Sequence, residues 1–269
     1  MKFAYIGIDL FLPALQALLA EGCELVELFT CETDDLTEFH DGVTALAKAQ
    51  NAPYTTKRIT GQDFERLLQK GCHVVICAGY YYKIPVFSQI PTVNIHPSLL
   101  PYGRGGWPMP LDILNHRKTS GVTIHKIAEG FDTGDILLQR AFNLDENETL
   151  ETFMDKVYAL LPGMLHELVN HFDLLYREAV PQGDGVYLPM PEKETYTVTP
   201  DTPFDKAELI FRAFYGYDCY YKTKDAEYRL IRAKAVRSVQ ESKGLACFPV
   251  RNVLLIYSNC SFLHLLLNP

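Results

Sequence analysis

The chain opens with a short apolar run, Phe3 to Ile8, and then changes period, with apolar residues at helical spacing from Leu10 to Ala20. The first pattern predicts a strand buried on both faces and the second a helix with one buried face. Gly22 supplies the helix stop, and Glu24 to Thr30 reads as a second strand. This is the opening of a doubly wound α/β fold. Beyond it the pattern predicts a helix over Val43 to Gln50, an edge strand over Pro53 to Arg58, a short helix over Gln62 to Lys70 and a strongly apolar central strand over His73 to Ala78. Pro91 to Ile95 is a further strand, Met109 to His116 a short helix, and Thr119 to Ile127 and Asp135 to Ala141 two more strands. Thr149 to Tyr176 carries Leu, Val and Met at helical spacing, with Pro162 and Gly163 expected to kink or break it.

The periodicity stops at Pro181-Gln-Gly-Asp-Gly185, and a stretch rich in Pro, Thr and Glu follows through Pro200. Phe204 to Tyr215 then reads as a helix. Tyr228 to Val236, Gly244 to Val250, Val253 to Tyr257 and Ser261 to Leu267 read as short strands whose spacing suggests a small antiparallel barrel. The expected architecture is α/β: a doubly wound, mostly parallel sheet over residues 1–180, a linker over 181–203 and a small β-barrel-like unit over 204–269. Domains of about 100–200 residues make two a natural division of this chain.

Charge narrows the function classes. A net charge of -8 is the wrong sign for a protein that must neutralise many phosphates, which disfavours long nucleic-acid contacts. The seven cysteines form no Cys-x-x-Cys pair, and the histidines form no His-Glu-x-x-His, so reduced, mostly buried thiols and no metal are expected. Gly7 alone at the first strand-to-helix turn is not a dinucleotide fingerprint. No apolar run is long enough to span a membrane and no signal-peptide pattern opens the chain, so a cytoplasmic protein is expected.

The candidate chemistry lies between Val93 and Leu138. Asn94 and His96 are two apart at a strand end, so their side chains leave one face. They bring an amide donor and an imidazole together. Acyl transfer to an amine needs donors at a developing oxyanion and a group that shuttles a proton near neutral pH. Asp132, in Gly-Phe-Asp-Thr-Gly, could orient and charge-balance the imidazole. Taken singly, each of these is ordinary turn chemistry. The ordered compound of Asn94, His96, Leu99-Leu100-Pro101, Arg104-Gly105 and the Asp132 loop is what gives them weight. His125, alternating with Thr123, reads as a structural histidine.

This compound pattern resembles the catalytic signature of the 10-formyltetrahydrofolate-dependent formyltransferases. The resemblance implies Asn94, His96 and Asp132 as the catalytic group and 10-formyltetrahydrofolate as co-substrate. It also implies a folate pocket at Ala78, Gly79, Tyr80 and Ile84 and at Ala128, Glu129, Gly130 and Phe131, largely through backbone groups. The family's loop order is Pro, any residue, aromatic, Arg, Gly; here Pro101-Tyr102-Gly103-Arg104-Gly105 moves the aromatic by one place. Arg104 either binds a substrate phosphate or carboxylate or staples its loop to an acidic neighbour, and Trp107 is either core or a stacking platform; with Tyr102 they are the substrate-side candidates. The stretch Lys206-Ala-Glu-Leu-Ile-Phe-Arg212 resembles the start of the C-terminal domain of methionyl-tRNA formyltransferases.

The expected acceptor is a small-molecule amine, with a nucleotide-linked amino sugar first and a hydroxyornithine-type amino acid next. Transfer to tRNA is disfavoured by the acidic loop Cys31 to Glu38, the acidic linker and a C-terminal unit shorter than in those enzymes and without a basic tail. A folate-binding module without turnover and a formyltetrahydrofolate hydrolase are the other readings, and a homodimer is compatible with the sequence.

Overall fold

The computed structural model describes residues 1–236, 247–250, 253–258 and 261–266. The elements run in order as β1 (Lys2–Gly7), α1 (Leu12–Ala20), β2 (Glu24–Phe29), α2 (Asp41–Ala49), β3 (Tyr54–Thr55), α3 (Gly61–Gln69), β4 (Val74–Ala78) and β5 (Thr92–His96). They continue with β6 (Tyr102–Arg104), α4 (Pro108–Leu114), β7 (Thr119–Lys126), β8 (Ile136–Asn143), α5 (Leu150–Arg177), β9 (Val186–Tyr187) and β10 (Thr197–Val198). The remainder is α6 (Phe204–Ala213), β11 (Cys219–Lys222), β12 (Glu227–Leu230), β13 (Arg232–Val236), β14 (Cys247–Val250), β15 (Val253–Ser258) and β16 (Ser261–Leu266).

The chain divides into two compact units. The first comprises Met1–Pro108, Thr119–Phe142 and Asp155–Leu188, and the second Met109–Lys118, Asn143–Met154 and Pro189–Pro269. A seven-stranded sheet in the order β3-β2-β1-β4-β5-β7-β8 organises the first. β3, β2, β1, β4 and β5 pair in parallel, and β7 runs antiparallel to β5. From β1 the chain winds outward first through β2 to β3, then on the other side through β4 to β5. That reversal opens a crevice at the carboxyl ends of β1 and β4, where open α/β sheets receive ligands. The apolar runs form the central strands because both their faces are covered: every residue of β4 is buried.

Beside this sheet, Ala4, Ile6, Phe29, Ile59, Phe64, Leu67, Val75, Ile84 and Ile90 form a continuous buried cluster. The rings of Phe64 and Phe87 stack at 5.2 Å within it. The helix expected from Leu10 begins instead with a tight 3-10 turn over Asp9–Phe11. Asp9 faces the other way, its carboxylate accepting the Gly42 and Val43 N–H groups at 2.8 Å each. These are orphan donors at the start of α2, which an acidic cap satisfies.

The expected break of α5 is displaced. Pro162 lies inside the helix, and the non-helical residue is His171. Leu161, Met164, Leu165 and Leu168 are buried, so packing holds the helix on both sides of the proline, and it departs from helical geometry only where burial ends. The single strand expected over Tyr228 to Val236 is divided at Ile231 into β12 and β13. Periodicity missed β6, β9, β10 and β11. In the second unit the expected short strands form an antiparallel sheet in the order β13-β16-β15-β14, next in sequence to a three-stranded sheet β10-β11-β12. The expected strand residues 244–246 and 267 lie outside the described residues. Cys23, Cys31, Cys72, Cys77 and Cys219 are free and buried.

Truncating a fully buried phenylalanine costs about 3–5 kcal/mol, so Phe64→Ala should destabilise the chain by that amount in urea unfolding. A loss below about 1 kcal/mol would mean that the cluster collapses onto the missing ring.

Candidate active site

Three segments of the first unit converge at the carboxyl end of β5: the strand end itself, the loop around β6, and the turn between β7 and β8. Antiparallel pairing sets Asn94 opposite His125 and His96 opposite Thr123. Asp132 enters from the turn with a left-handed backbone (φ 53°), a conformation Asp tolerates better than most residues.

The hydrogen bonds fix the protonation pattern. His96 Nε2 lies 2.7 Å from the Gly103 carbonyl, which can only accept, so Nε2 carries the proton and neutral His96 presents a bare Nδ1. That Nδ1 is 3.8 Å from Asp132 Oδ1. His125 Nδ1 is 2.8 Å from the Lys126 carbonyl and donates to it by the same argument. His125 Nε2 is then free to accept from Asn94 Nδ2 at 3.2 Å. Asn94 Nδ2 also donates to Asp132 Oδ1 at 3.3 Å. The second carboxylate oxygen, Oδ2, accepts the Gly105 N–H at 2.9 Å.

Gly105 has φ 117° and sits so close to the Leu188 carbonyl that a Cβ would collide with it. No other residue could bring its N–H to the carboxylate without strain. Thr123 Oγ1 donates to the Ser98 carbonyl and accepts from Gln139 Nε2, fixing the turn between β5 and β6.

Burial pushes the His96 pKa below its ordinary value; the Asp132 charge opposes this without reversing it, and His125 adds to the depression. Burial alone would raise the Asp132 carboxyl. The imidazoles of His96 and His125 and the Gly105 N–H outweigh that and hold it well below the usual carboxylate range. At neutral pH the site therefore pairs an ionised carboxylate with a neutral imidazole.

Asn94, His96 and Asp132 thus come together. Of the expected folate residues, Ala78 ends β4 and is buried, Gly79 turns the chain with φ 68°, and Ile84 belongs to the buried cluster. The Tyr80 hydroxyl accepts the Ile59 N–H at 3.3 Å. Lys83 and Glu129 bring this loop to the turn holding Ala128, Glu129, Gly130 and Phe131, at 3.5 Å. Tyr81 and Phe131 remain 49% and 59% exposed in these two loops. Arg104 donates from Nε and Nη2 to Gln182 Oε1 at 3.2 and 3.0 Å and from Nη2 to the Gly183 carbonyl at 2.9 Å, neutral partners in place of the acidic neighbour expected. Tyr102 lies on β6, its carbonyl accepting from Ser98 Oγ, and Trp107 is half-buried between β6 and α4. The sequence marked His125 as a structural histidine and not as a member of this cluster, and carried no signal for Gln182.

The sequence model of the formyl transferase family matches residues 30–169. This chain belongs to the formyl transferase family. It is 39% identical over 138 residues to the methionyl-tRNA formyltransferase of Ehrlichia ruminantium, a stretch covering 50% of this chain and 45% of that one. The match thus spans about half the length of that curated relative. Among solved structures, HypX from Aquifex aeolicus in complex with tetrahydrofolic acid superposes with a TM-score of 0.71 at 17% identity, over 98% of this chain and 43% of that one. The sugar 3N-formyl transferase WlaRD, solved with dTDP and 5-N-formyl-THF, gives 0.65 at 17%, over 99% and 97%. Both share the α/β fold with its C-terminal sheet region. Among the described residues no helix is long and apolar enough to cross a membrane, and no group of three or more His, Cys, Asp or Glu could hold a metal ion.

The depressed His96 pKa has a direct readout. The His96 ring should titrate by NMR below the ordinary histidine value of about 6.5. Asp132→Asn removes the charge that favours the imidazolium, so its midpoint should move lower still. An upward move would mean that the two groups do not interact as the geometry implies.

Proposed function

We propose that this protein transfers the formyl group of 10-formyltetrahydrofolate to the nitrogen of a small-molecule amine. The observation that carries the reading is the convergence of Asn94, His96 and ionised Asp132 at the carboxyl end of β5, within the segment that matches the family. The folate supplies an activated formyl carbon. Support for a folate side comes from the Lys83–Glu129 pair, which brings the loop after β4 to the turn before Asp132, and from the exposed rings of Tyr81 and Phe131 on those two loops.

The side chains divide the chemistry. Asn94, whose two Nδ2 hydrogens face His125 Nε2 and Asp132 Oδ1, gives up the longer Asp132 contact to donate where the formyl oxygen gains charge, a contribution often worth about 3 kcal/mol. His96, neutral with Nδ1 bare, takes the proton of the attacking amine and returns it to the departing folate nitrogen. Asp132 stabilises the imidazolium between those two transfers, since its charge lies 3.8 Å from the protonated atom. A carboxylate that stays ionised and an imidazole that starts neutral are the states this sequence of transfers requires.

For the acceptor, a nucleotide-linked amino sugar is the first choice. The loop after β2 carries Glu32, Asp34, Asp35 and Glu38. This concentration of carboxylates makes the loop poor ground for a long run of phosphates. Initiator tRNA is the second reading, favoured by the name of the Ehrlichia relative. A soluble, cytoplasmic setting suits either.

The deciding experiment follows tetrahydrofolate release from 10-formyltetrahydrofolate with a panel of amino-sugar nucleotides, amino acids and charged initiator tRNA. Acceleration by an amino-sugar nucleotide is expected. Acceleration by tRNA alone would replace the first reading with the second, and release indifferent to any amine would make the protein a hydrolase. With the accepted amine, His96→Ala should lower the rate at least about a hundredfold; unchanged turnover would remove His96 from the mechanism.

A further inference from the structure

Gln182 belongs to the polar stretch after α5, outside any regular element, yet every hydrogen-bonding position of its side chain is used. Oε1 accepts from Arg104 Nε at 3.2 Å and Nη2 at 3.0 Å. Nε2 donates to the Asp132 carbonyl at 3.0 Å and the Gly134 carbonyl at 2.6 Å. The amide orientation is unambiguous, because a guanidinium only donates and a carbonyl only accepts. Two carbonyls that bracket Thr133 are therefore held on one side and the Arg104 loop on the other.

We propose that Gln182 is a positioning residue for this site, tying the Asp132 turn to the Arg104 loop and thereby fixing where the Asp132 carboxylate lies against His96. The contacts close a ring. Arg104 is followed by Gly105, whose N–H meets Asp132 Oδ2, and preceded by Gly103, whose carbonyl holds His96 Nε2–H. Gln182 completes the ring from the Asp132 backbone back to Arg104. Its own segment is anchored on both sides. Val180 exchanges both backbone hydrogen bonds with Ile136 at 2.8 Å. On the other side, the Val186 and Leu188 N–H groups donate to the Pro101 and Arg104 carbonyls at 3.0 and 2.7 Å. Gly185 passes so close to the Pro101 carbonyl and the Arg104 guanidinium that a Cβ would not fit. Asp132 has a left-handed backbone in a turn closed at its base by the Lys126 N–H to the Asp135 carbonyl and by Thr133 Oγ1 to the Gly130 carbonyl; Gln182 adds the bonds to the Asp132 and Gly134 carbonyls themselves. Catalytic geometry is sensitive to shifts of about 1 Å.

A mere staple and a positioning residue make different demands on the amide. Gln182→Glu keeps an acceptor for Arg104, now charged, but presents no donor to the two carbonyls. Gln182→Ala removes both. The test uses the full chain and two readouts: the proton shift of the Gly105 amide, which reports its bond to the Asp132 carboxylate without any turnover, and kcat against KM for formyl transfer. The kinetic arm rests on the formyltransferase reading; the spectroscopic arm does not.

In both variants the Gly105 amide proton should move upfield, and kcat should fall about a hundredfold while the folate KM changes little. A Gly105 amide that stays in place would overturn the proposal whatever the kinetics do. So would turnover in Gln182→Glu within about twofold of the parent. If the parent transfers no formyl group to any amine tried, the Gly105 shift alone decides, and only the functional reading has failed.

Discussion

A carboxylate buried beside neutral imidazoles is the constraint on which this site turns. Removing an ionised group from water is costly unless it is given donors in its new surroundings, and the chain meets that need from several segments at once. The Gly105 N–H and the Asn94 amide both donate to Asp132. Each donor places its own demand on the backbone: a left-handed turn at Asp132, a glycine where the Leu188 carbonyl passes, and a β5–β7 register that sets Asn94 across from His125. The conformation of more than eighty residues is thus tied to the solvation of one charge.

The same arrangement divides the histidines by role. Both ring protons are committed to backbone carbonyls, Gly103 for His96 and Lys126 for His125. The two bare nitrogens are thereby turned toward the carboxylate region, but only His125 has a side-chain donor, Asn94, against its bare nitrogen. Backbone carbonyls decide which imidazole is left to accept a proton. Every residue carries a carbonyl, so no side chain advertises the choice, although the left-handed backbone at Gly103 (φ 79°) does favour a glycine there.

Much of the fold was legible in the sequence because the signals are local. Unbroken apolar runs marked β1 and β4, and helical spacing marked α1 and α3. Asn94 and His96 were readable as partners since two residues along a strand return to one face. What escaped depends on pairing between distant segments. β6 and β9 are too short to show a period and exist because they pair with each other. His125 was visible as a face but not as a neighbour, because register is set by tertiary packing. Gln182 lies fifty residues from the turn it grips and reaches backbone atoms there, which leave no trace in sequence. Pro162 misled for the opposite reason: a strong local signal yielded to the burial of Leu161 and Leu165 around it.

The parallel pairing of β9 with β6 has a temporal side. The loop that delivers the Gly105 N–H to Asp132 is closed over by residues that leave the ribosome some eighty positions later. Asn94 and His96 share a face as soon as β5 is a strand, but the carbonyl against which Gly105 packs arrives only with Leu188. Completion of the charged centre is thus tied to a stretch made long after the strand that carries its imidazole.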